Sequence, residues 1–263
     1  RRQRQMCIRD RFYRGRKMKA VIPAAGEGKR FNKASTYMHK CLVPINGKAL
    51  LLYTLENLTN IKEITECIVI IGENHEKIID TIGTKVNDTP ILFCKQKQSV
   101  KGVVGAIESV VEEIGNDDFI LVLADEFVYQ NNYAEAIEKF KTSTNECMVG
   151  LYYEKYLEYV KKNYTFIKSP DGFLYNFIEK PQIVYNNCSG TGNIIFKNTV
   201  LGAIKKVKEN KERHEKELVD LLNLICATGK IQSFVVGNYY CNVNSMNDYL
   251  RINEFLEGER NEK

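Results

Sequence analysis

From Met18 to Leu52 the sequence reads MKAVIPAAGEGKRFNKASTYMHKCLVPINGKALLL and sets small residues beside fixed cations. Ala24-Ala25-Gly26-Glu27-Gly28 is a turn almost free of bulky side chains; Lys29 and Arg30 follow at once, and Lys40 lies one loop away. Gly26 and Gly28 permit positive φ and let backbone N–H groups come close to an anion. Successive N–H groups in such a turn form an anion-binding concavity, which Ala24 and Ala25 are too small to block. Arg30 can grip phosphate oxygens with two parallel hydrogen bonds, whereas a lysine acts as a mobile point charge. The chemistry this favours is the holding of a polyphosphate. The turn is not a Walker A loop, since no Gly-Lys-Ser/Thr stands at the required spacing. Nor is it the dinucleotide fingerprint, because the third glycine is missing. A lone glycine pair favours an ordinary strand-to-helix turn, so the rest of the chain decides.

The elements needed to position these residues follow from periodicity. Ala20–Ile22 reads as a buried strand, and Val43-Pro44-Ile45-Asn46-Gly47-Lys48 turns the chain into an apolar helix. Residues 66–71 form a β-rich run ended by Gly72, residues 75–82 a helix, and residues 91–94 a short strand. Apolar residues at helical spacing over 103–114 predict a helix stopping at Gly115, and residues 119–123 a fully apolar strand running into Ala124-Asp125. Such alternation implies a parallel sheet covered on both faces. Ligands of open α/β sheets sit beyond the carboxyl ends of the strands, where both the glycine-rich turn and Asp125 fall. The second half differs. Asp171-Gly172 between two β-rich runs, 164–168 and 173–179, signals a hairpin. Residues 193–196 and 231–236 read as strands; residues 199–208, 215–228 and 246–256 read as helices.

Bulk properties narrow the classes. The length of 263 residues suits one large domain or two small ones. No apolar run approaches the ~20 residues of a membrane span, and no secretory pattern is present. The eight cysteines form no C-x-x-C pair, which argues against zinc and for reduced thiols in the cytoplasm. The net charge of +5 is concentrated at one end: residues 1–17 hold eight cations against Asp10, so this arm carries +7 and the remainder −2. A basic arm can bind nucleic acid or an anionic membrane. Arg1–Arg11 also resembles the translation of a common transposase-type sequencing adapter. The expectation is therefore that residues 1–17 are a non-native extension, that translation starts at Met18, and that neither nucleic acid nor membrane is a partner. His39, His75 and His214 are expected to be structural or solvated, the Tyr152-Tyr153 and Tyr239-Tyr240 pairs to be packing residues, and the charged stretch 205–217 to be a solvated face.

Several motifs in order then resemble the sugar-1-phosphate nucleotidyltransferase family, of the single-domain glucose-1-phosphate thymidylyltransferase type. Ala24-Ala25-Gly26-Glu27-Gly28-Lys29-Arg30, His39-Lys40 and Pro44-Ile45-Asn46-Gly47-Lys48 resemble its opening signature. Gln96 or Gln98 before Gly102-Val103-Val104-Gly105-Ala106 resembles its base-reading segment. Leu121–Asp125 resembles the strand that delivers a metal-binding aspartate. Glu179-Lys180-Pro181 resembles the sugar-contacting motif, Thr191-Gly192 the segment before the next strand, and Asn242-Val243-Asn244-Ser245 the segment near the C-terminus. The similarity runs from Met18 to about Leu256.

The resemblance implies a GT-A-like Rossmann-type α/β fold over residues 18–263, with a predominantly parallel sheet, helices on both faces and a small β-rich sugar-binding subregion. It implies a nucleoside triphosphate, dTTP or UTP favoured, and a sugar 1-phosphate as substrates, Mg²⁺ as cofactor, and allows a homo-oligomer. Arg30, Lys40 and Asp125 would be catalytic. Ala24, Ala25, Gly26, Gly28, Lys29, Gln96, Gln98 and Gly102 would bind the nucleotide, and Thr165, Glu179, Lys180, Thr191 and Gly192 the sugar phosphate. Asp125 with Asn242 or Asn244 would hold the metal. The chain departs from the pattern in five places: His39 replaces a proline, Ala124 a glycine, Lys29 a serine or threonine, Thr165 a glycine, and Asn242 an aspartate. Two other readings stay open: within the same class, a cytidylyltransferase acting on a phosphorylated alcohol such as phosphocholine, and, through the changes at His39, Thr165 and Asn242, a catalytically silent nucleotide-binding regulator.

Overall fold

The computed structural model describes residues 17–26, 39–73 and 76–261. Four parallel strands carry the fold: β1 (Met18–Pro23), β4 (Ile64–Ile71), β6 (Thr89–Lys95) and β7 (Asp118–Leu121), in the spatial order β7-β1-β4-β6. Between β1 and β4 lie a two-residue hairpin, β2 (Pro44–Ile45) and β3 (Lys48–Ala49), and the helix Leu50–Thr59. The hairpin turns on Asn46 and Gly47, both at positive φ (49° and 80°), a twist that asparagine and glycine supply at least cost. A short strand β5 (Lys85–Val86) closes the β6 edge antiparallel.

Period-two alternation splits these strands between two cores. Ala20, Ile22, Cys67, Val69 and Ile71 face one side, where Leu51, Leu55 and Leu58 cover them. Val21, Ile68 and Ile70 face the other, against Val104, Ile107, Leu221 and Leu222. Burying a Leu or Ile side chain contributes about 1.5–3 kcal/mol, so strands apolar on both faces are the ones that hold the sheet between helices.

Beyond β7 the sheet becomes mixed. The remaining strands are β8 (Glu126–Asn131), β9 (Cys147–Tyr153), β10 (Tyr164–Lys168), β11 (Leu174–Glu179), β12 (Cys188–Phe196), β13 (Ile231–Val235) and β14 (Gly237–Asn242). β12 pairs antiparallel with β7, β9 and β10, and β10 pairs with β11 through the turn at Gly172 (φ 87°). β14 and β8 form a separate antiparallel ribbon against which the last helix, Met246–Asn261, packs through Ile252 and Leu256.

Three expectations need correction. The 103–114 helix is two pieces, Gly102–Ser109 and Val111–Ile114, broken at Val110 (φ −122°). The helix expected over 199–208 is only a 3₁₀ turn and the single turn Leu201–Ile204. The strand expected at 193–196 starts at Cys188, because polar Ser189, Thr191 and Asn193 are buried in it. The predictions for Gly28, Lys29, Arg30 and His75 lie outside the described residues.

Candidate active site

The parallel register brings four loops side by side. Ala24 N donates to Ile70 O (2.7 Å), Gln96 N to Ile71 O (2.8 Å) and Ala124 N to Pro23 O (3.4 Å). The carboxyl ends of β1, β4, β6 and β7 therefore open into one cleft of about 1310 Å³, lined by Ala24–Gly26, Gly72-Glu73, Gln96–Gln98, Lys101–Val103 and Leu123–Asp125. Lys40, Glu215 and Asn244 complete the wall. Volumes of 300–1,000 Å³ are usual for small-molecule sites, so this cleft can take a nucleotide and a second substrate. Of the sequence-predicted residues, Ala24, Ala25, Gly26, Lys40, Gln96, Gln98, Gly102, Asp125 and Asn244 meet here.

Lys40 is the meeting point of two chain segments that both carry oxygen donors. Its Nζ donates to Asp125 Oδ2 at 2.6 Å and to Asn244 Oδ1 at 2.8 Å, with the lysine side chain only 12% exposed. Asp125 is fixed because its carbonyl accepts from Val243 N (2.9 Å), extending the β8–β14 ribbon by one bond. Asn244 is fixed because its N–H donates to Asp248 Oδ2 (3.1 Å), which also accepts from Ser245 Oγ (2.7 Å). Two hard oxygens from separate elements thus aim at one cationic centre. That donor set suits an oxygen-seeking divalent ion.

Asn242 is not part of this cluster. Its side chain lines a second pocket of about 40 Å³ with Glu154, Lys162 and Arg251, which Asn244 also borders, and its Oδ1 is buried without a hydrogen-bond partner among the described residues. Strand alternation alone would set residues 242 and 244 on one face; β14 ends at Asn242, so that rule does not carry on to Asn244, which the Asp248 cap turns toward Lys40. Thr165 is fully buried, and its hydroxyl lies 3.0 Å from Cys188 O and 3.1 Å from Asn186 Oδ1. Thr191 likewise donates inward to Gly150 O (2.9 Å). These two side chains serve the β10–β12 packing and do not line the cleft. Glu179 and Lys180 stand at the end of β11, paired with each other (3.5 Å), and Glu179 also faces Arg213 (3.8 Å). Burial raises the Glu179 carboxyl, with Lys180 and Arg213 opposing.

Sequence reading missed Glu126. This carboxylate is 2% exposed and accepts from Gly192 N (2.9 Å), Asn193 Nδ2 (2.6 Å) and Tyr240 OH (2.8 Å). Asn193 in turn accepts from Tyr133 OH (2.6 Å). Gly192 is required here: a Cβ on it would lie 2.2 Å from Leu123, the cleft residue in front of Glu126. One buried carboxylate therefore ties the Asp125 loop to Thr191-Gly192. Burial, then the neighbouring Asp125 charge, pushes the Glu126 carboxyl up to about 8 from 4.5, against the three donors. A carboxyl raised on folding binds its proton more tightly in the native state. Its stabilising effect is complete below about 4.5 and lost as pH rises through about 8. Thermal melts in EDTA should therefore fall more steeply between these pH values for the wild type than for Glu126→Gln; equal slopes would contradict the assignment.

The stretch 205–217 is not simply a solvated face. Lys216 N donates to Lys101 O (3.0 Å) and Lys216 Nζ pairs with Glu108 (2.6 Å), which presses the segment onto the cleft wall. Gly102 permits this contact: its φ is +81°, and a Cβ would sit 2.6 Å from Lys216 O. Gly102→Ala is expected to cost about 1–3 kcal/mol and to weaken nucleotide binding. Chemical denaturation and nucleotide titration check both; an unchanged midpoint would contradict it. His214, expected to be structural or solvated, is exposed and lies 3.1 Å from Glu209. Three of the four paired tyrosines pack: Tyr239 stacks on Phe255 (4.0 Å) and Tyr152 lies 5.7 Å from Tyr240, whereas Tyr153 is exposed. Among the described residues no group of three or more His, Cys, Asp or Glu could hold a metal, and no helix is long and apolar enough to cross a membrane.

A largely parallel sheet between helices, with its cleft at the strand carboxyl ends, defines a Rossmann-like α/β fold of the GT-A type. The profile of the nucleotidyl transferase family matches residues 19–259, and the chain belongs to that family of enzymes. It is 24% identical over 213 residues to the UTP–glucose-1-phosphate uridylyltransferase AglF of Haloferax volcanii, covering 81% of this chain and 85% of that protein. It is also 24% identical to the bifunctional protein GlmU of Methanocaldococcus jannaschii, covering 91% of this chain but only 54% of the longer relative. Among solved structures, UDP-glucose pyrophosphorylase complexed with UDP-glucose matches with a TM-score of 0.80 at 20% identity, covering 92% of this chain and 99% of the other.

Proposed function

We propose that this nucleotidyltransferase joins a nucleoside triphosphate, dTTP or UTP favoured, to a sugar 1-phosphate and releases pyrophosphate, in a reducing cytoplasmic setting. The observation that carries the reading is the Lys40–Asp125–Asn244 cluster on a cleft at the strand carboxyl ends. The Haloferax relative, a UTP–glucose-1-phosphate uridylyltransferase, supports a sugar 1-phosphate acceptor.

The reaction brings two anions together, so its barrier is chiefly electrostatic and positional. The attacking phosphate oxygen is already ionised and needs no general base. Asp125 and Asn244 fit a divalent ion such as Mg²⁺, whose charge, when bound, neutralises phosphate oxygens. Lys40 would contact the α-phosphate and the attacking phosphate. Backbone N–H groups at Ala25, Gly26 and the start of the Gly102–Ser109 helix would cradle the triphosphate. Arg30, with Gly28 and Lys29, would hold the departing pyrophosphate. Gln96 or Gln98 would read the base. Glu179 and Lys180 would bind the sugar and its phosphate, with the buried Thr165 and Thr191-Gly192 supporting the strands behind that end.

The test is pyrophosphate release across each nucleoside triphosphate paired with a panel of sugar 1-phosphates, with phosphocholine and CTP as a control arm. At least one sugar pair should turn over. Activity confined to CTP and phosphocholine would replace the acceptor, and silence with nucleotide binding intact would replace catalysis with regulation.

A further inference from the structure

The Lys40 ammonium stands where a divalent cation would stand. Its Nζ is 2.6 Å from Asp125 Oδ2 and 2.8 Å from Asn244 Oδ1, and the side chain is nearly enclosed at 12% exposure. A metal ion and an ammonium cannot both occupy the space between the same two oxygens. Each would also repel the other at that separation. We propose that Lys40 is a built-in competitor for the metal site: it holds Asp125 and Asn244 in the substrate-free enzyme, so that free metal displaces it only at high concentration, and it yields them readily when a polyphosphate draws the ammonium away.

The proposal rests on reading Asp125 and Asn244 as metal ligands and adds a binding order to it. Free metal meets a site already neutralised by a cation, so it binds weakly. A nucleotide arriving with its metal supplies phosphate oxygens that accept from Lys40, and the carboxylate is released to the ion in the same event. Coupling of this kind is reciprocal, so metal binding must likewise favour nucleotide. The lysine is suited to the exchange. Its charge sits on a four-carbon stem that can swing between neighbouring anions, which the fork of an arginine would do less readily. The stem leads into the 3₁₀ turn Lys40–Leu42, whose Cys41 and Leu42 are buried, so the backbone stays anchored while the ammonium moves.

Two measurements test this without relying on turnover. In nucleotide-free protein, Mn²⁺ titrated by electron paramagnetic resonance should bind Lys40→Met roughly tenfold or more tightly than the wild type, since a competing charge is gone. Lys40→Arg, which keeps a cation there, should stay near the wild type. Equal or weaker Mn²⁺ binding by a folded Lys40→Met would overturn the proposal, as would its failure to bind at all. On the wild type, acylation of Lys40 followed by mass spectrometry should rise when saturating Mg²⁺ displaces the ammonium; unchanged or reduced labelling would overturn it. These outcomes are separable from the proposed reaction. A silent substrate panel beside a tightened Lys40→Met would remove the reaction and keep the competition, and the opposite pattern would do the reverse.

Discussion

Asp125→Ala is expected to slow turnover by roughly 10²–10³, the usual loss when one preorganised electrostatic contact is removed. Asp125 is the single carboxylate in the three-residue cluster; Asn244 supplies a neutral oxygen and Lys40 a cation. Without Asp125 a divalent ion held there would lose the one carboxylate of this cluster, and Lys40 would keep only Asn244 as a partner within it. The loss should fall mainly on kcat if the glycine-rich turn and the Gly102–Ser109 helix hold the nucleotide as proposed. Lys40→Ala should slow turnover by a similar factor. It should do so for a different reason, the missing charge on the phosphates, and while binding metal more tightly. Steady-state kinetics on each variant decide the matter. A variant within a few-fold of the wild type would take that residue out of the mechanism.

Glu126→Ala is expected to carry the largest stability loss, about 3 kcal/mol or more. It would leave Gly192 N, Asn193 Nδ2 and Tyr240 OH buried without an acceptor, and each such donor costs about 1–3 kcal/mol. The change also opens a cavity behind Leu123, which adds to the cost. Because this carboxylate ties β12 to the paired β8–β14 ribbon beside Asp125, the effect should spread to the cleft and lower metal affinity as well. Urea denaturation followed by circular dichroism gives the stability. A loss under about 1 kcal/mol would mean the network is not holding these strands together.

The parallel half of the sheet was legible because burial on both faces writes an unbroken apolar run. Ala20–Ile22, residues 66–71 and residues 119–123 could hardly be anything else, and the ligand edge followed from strand direction. The helix Tyr133–Thr142 was also readable, since Tyr133, Ala136, Ile137 and Phe140 are buried at helical spacing, although no element was assigned there. β8 was not readable. It starts with a charged residue at a buried position, and its acceptor atoms find their donors 66 and 114 residues away. β9 is interrupted by Gly150, a residue kept bare because Asn193 O lies 2.6 Å from where its Cβ would be. Motif order pointed to Lys40 and Asp125. The choice between Asn242 and Asn244 depended on where β14 ends, which only the paired ribbon fixes. The inward turn of Thr165 likewise depends on Asn186 and Cys188, which spacing along the chain does not link to it.

The central claim is nucleotidyl transfer at the Lys40–Asp125–Asn244 cluster, and phosphorus nuclear magnetic resonance follows it directly. With Mg²⁺, one nucleoside triphosphate and one sugar 1-phosphate, the wild type should convert the sugar-phosphate signal into the paired signals of a diphosphate ester. Pyrophosphate should appear in equal amount, and Asp125→Ala should leave the spectrum unchanged over the same time. Hydrolysis to a nucleoside monophosphate with the sugar phosphate intact, or equal conversion by Asp125→Ala, would contradict the account.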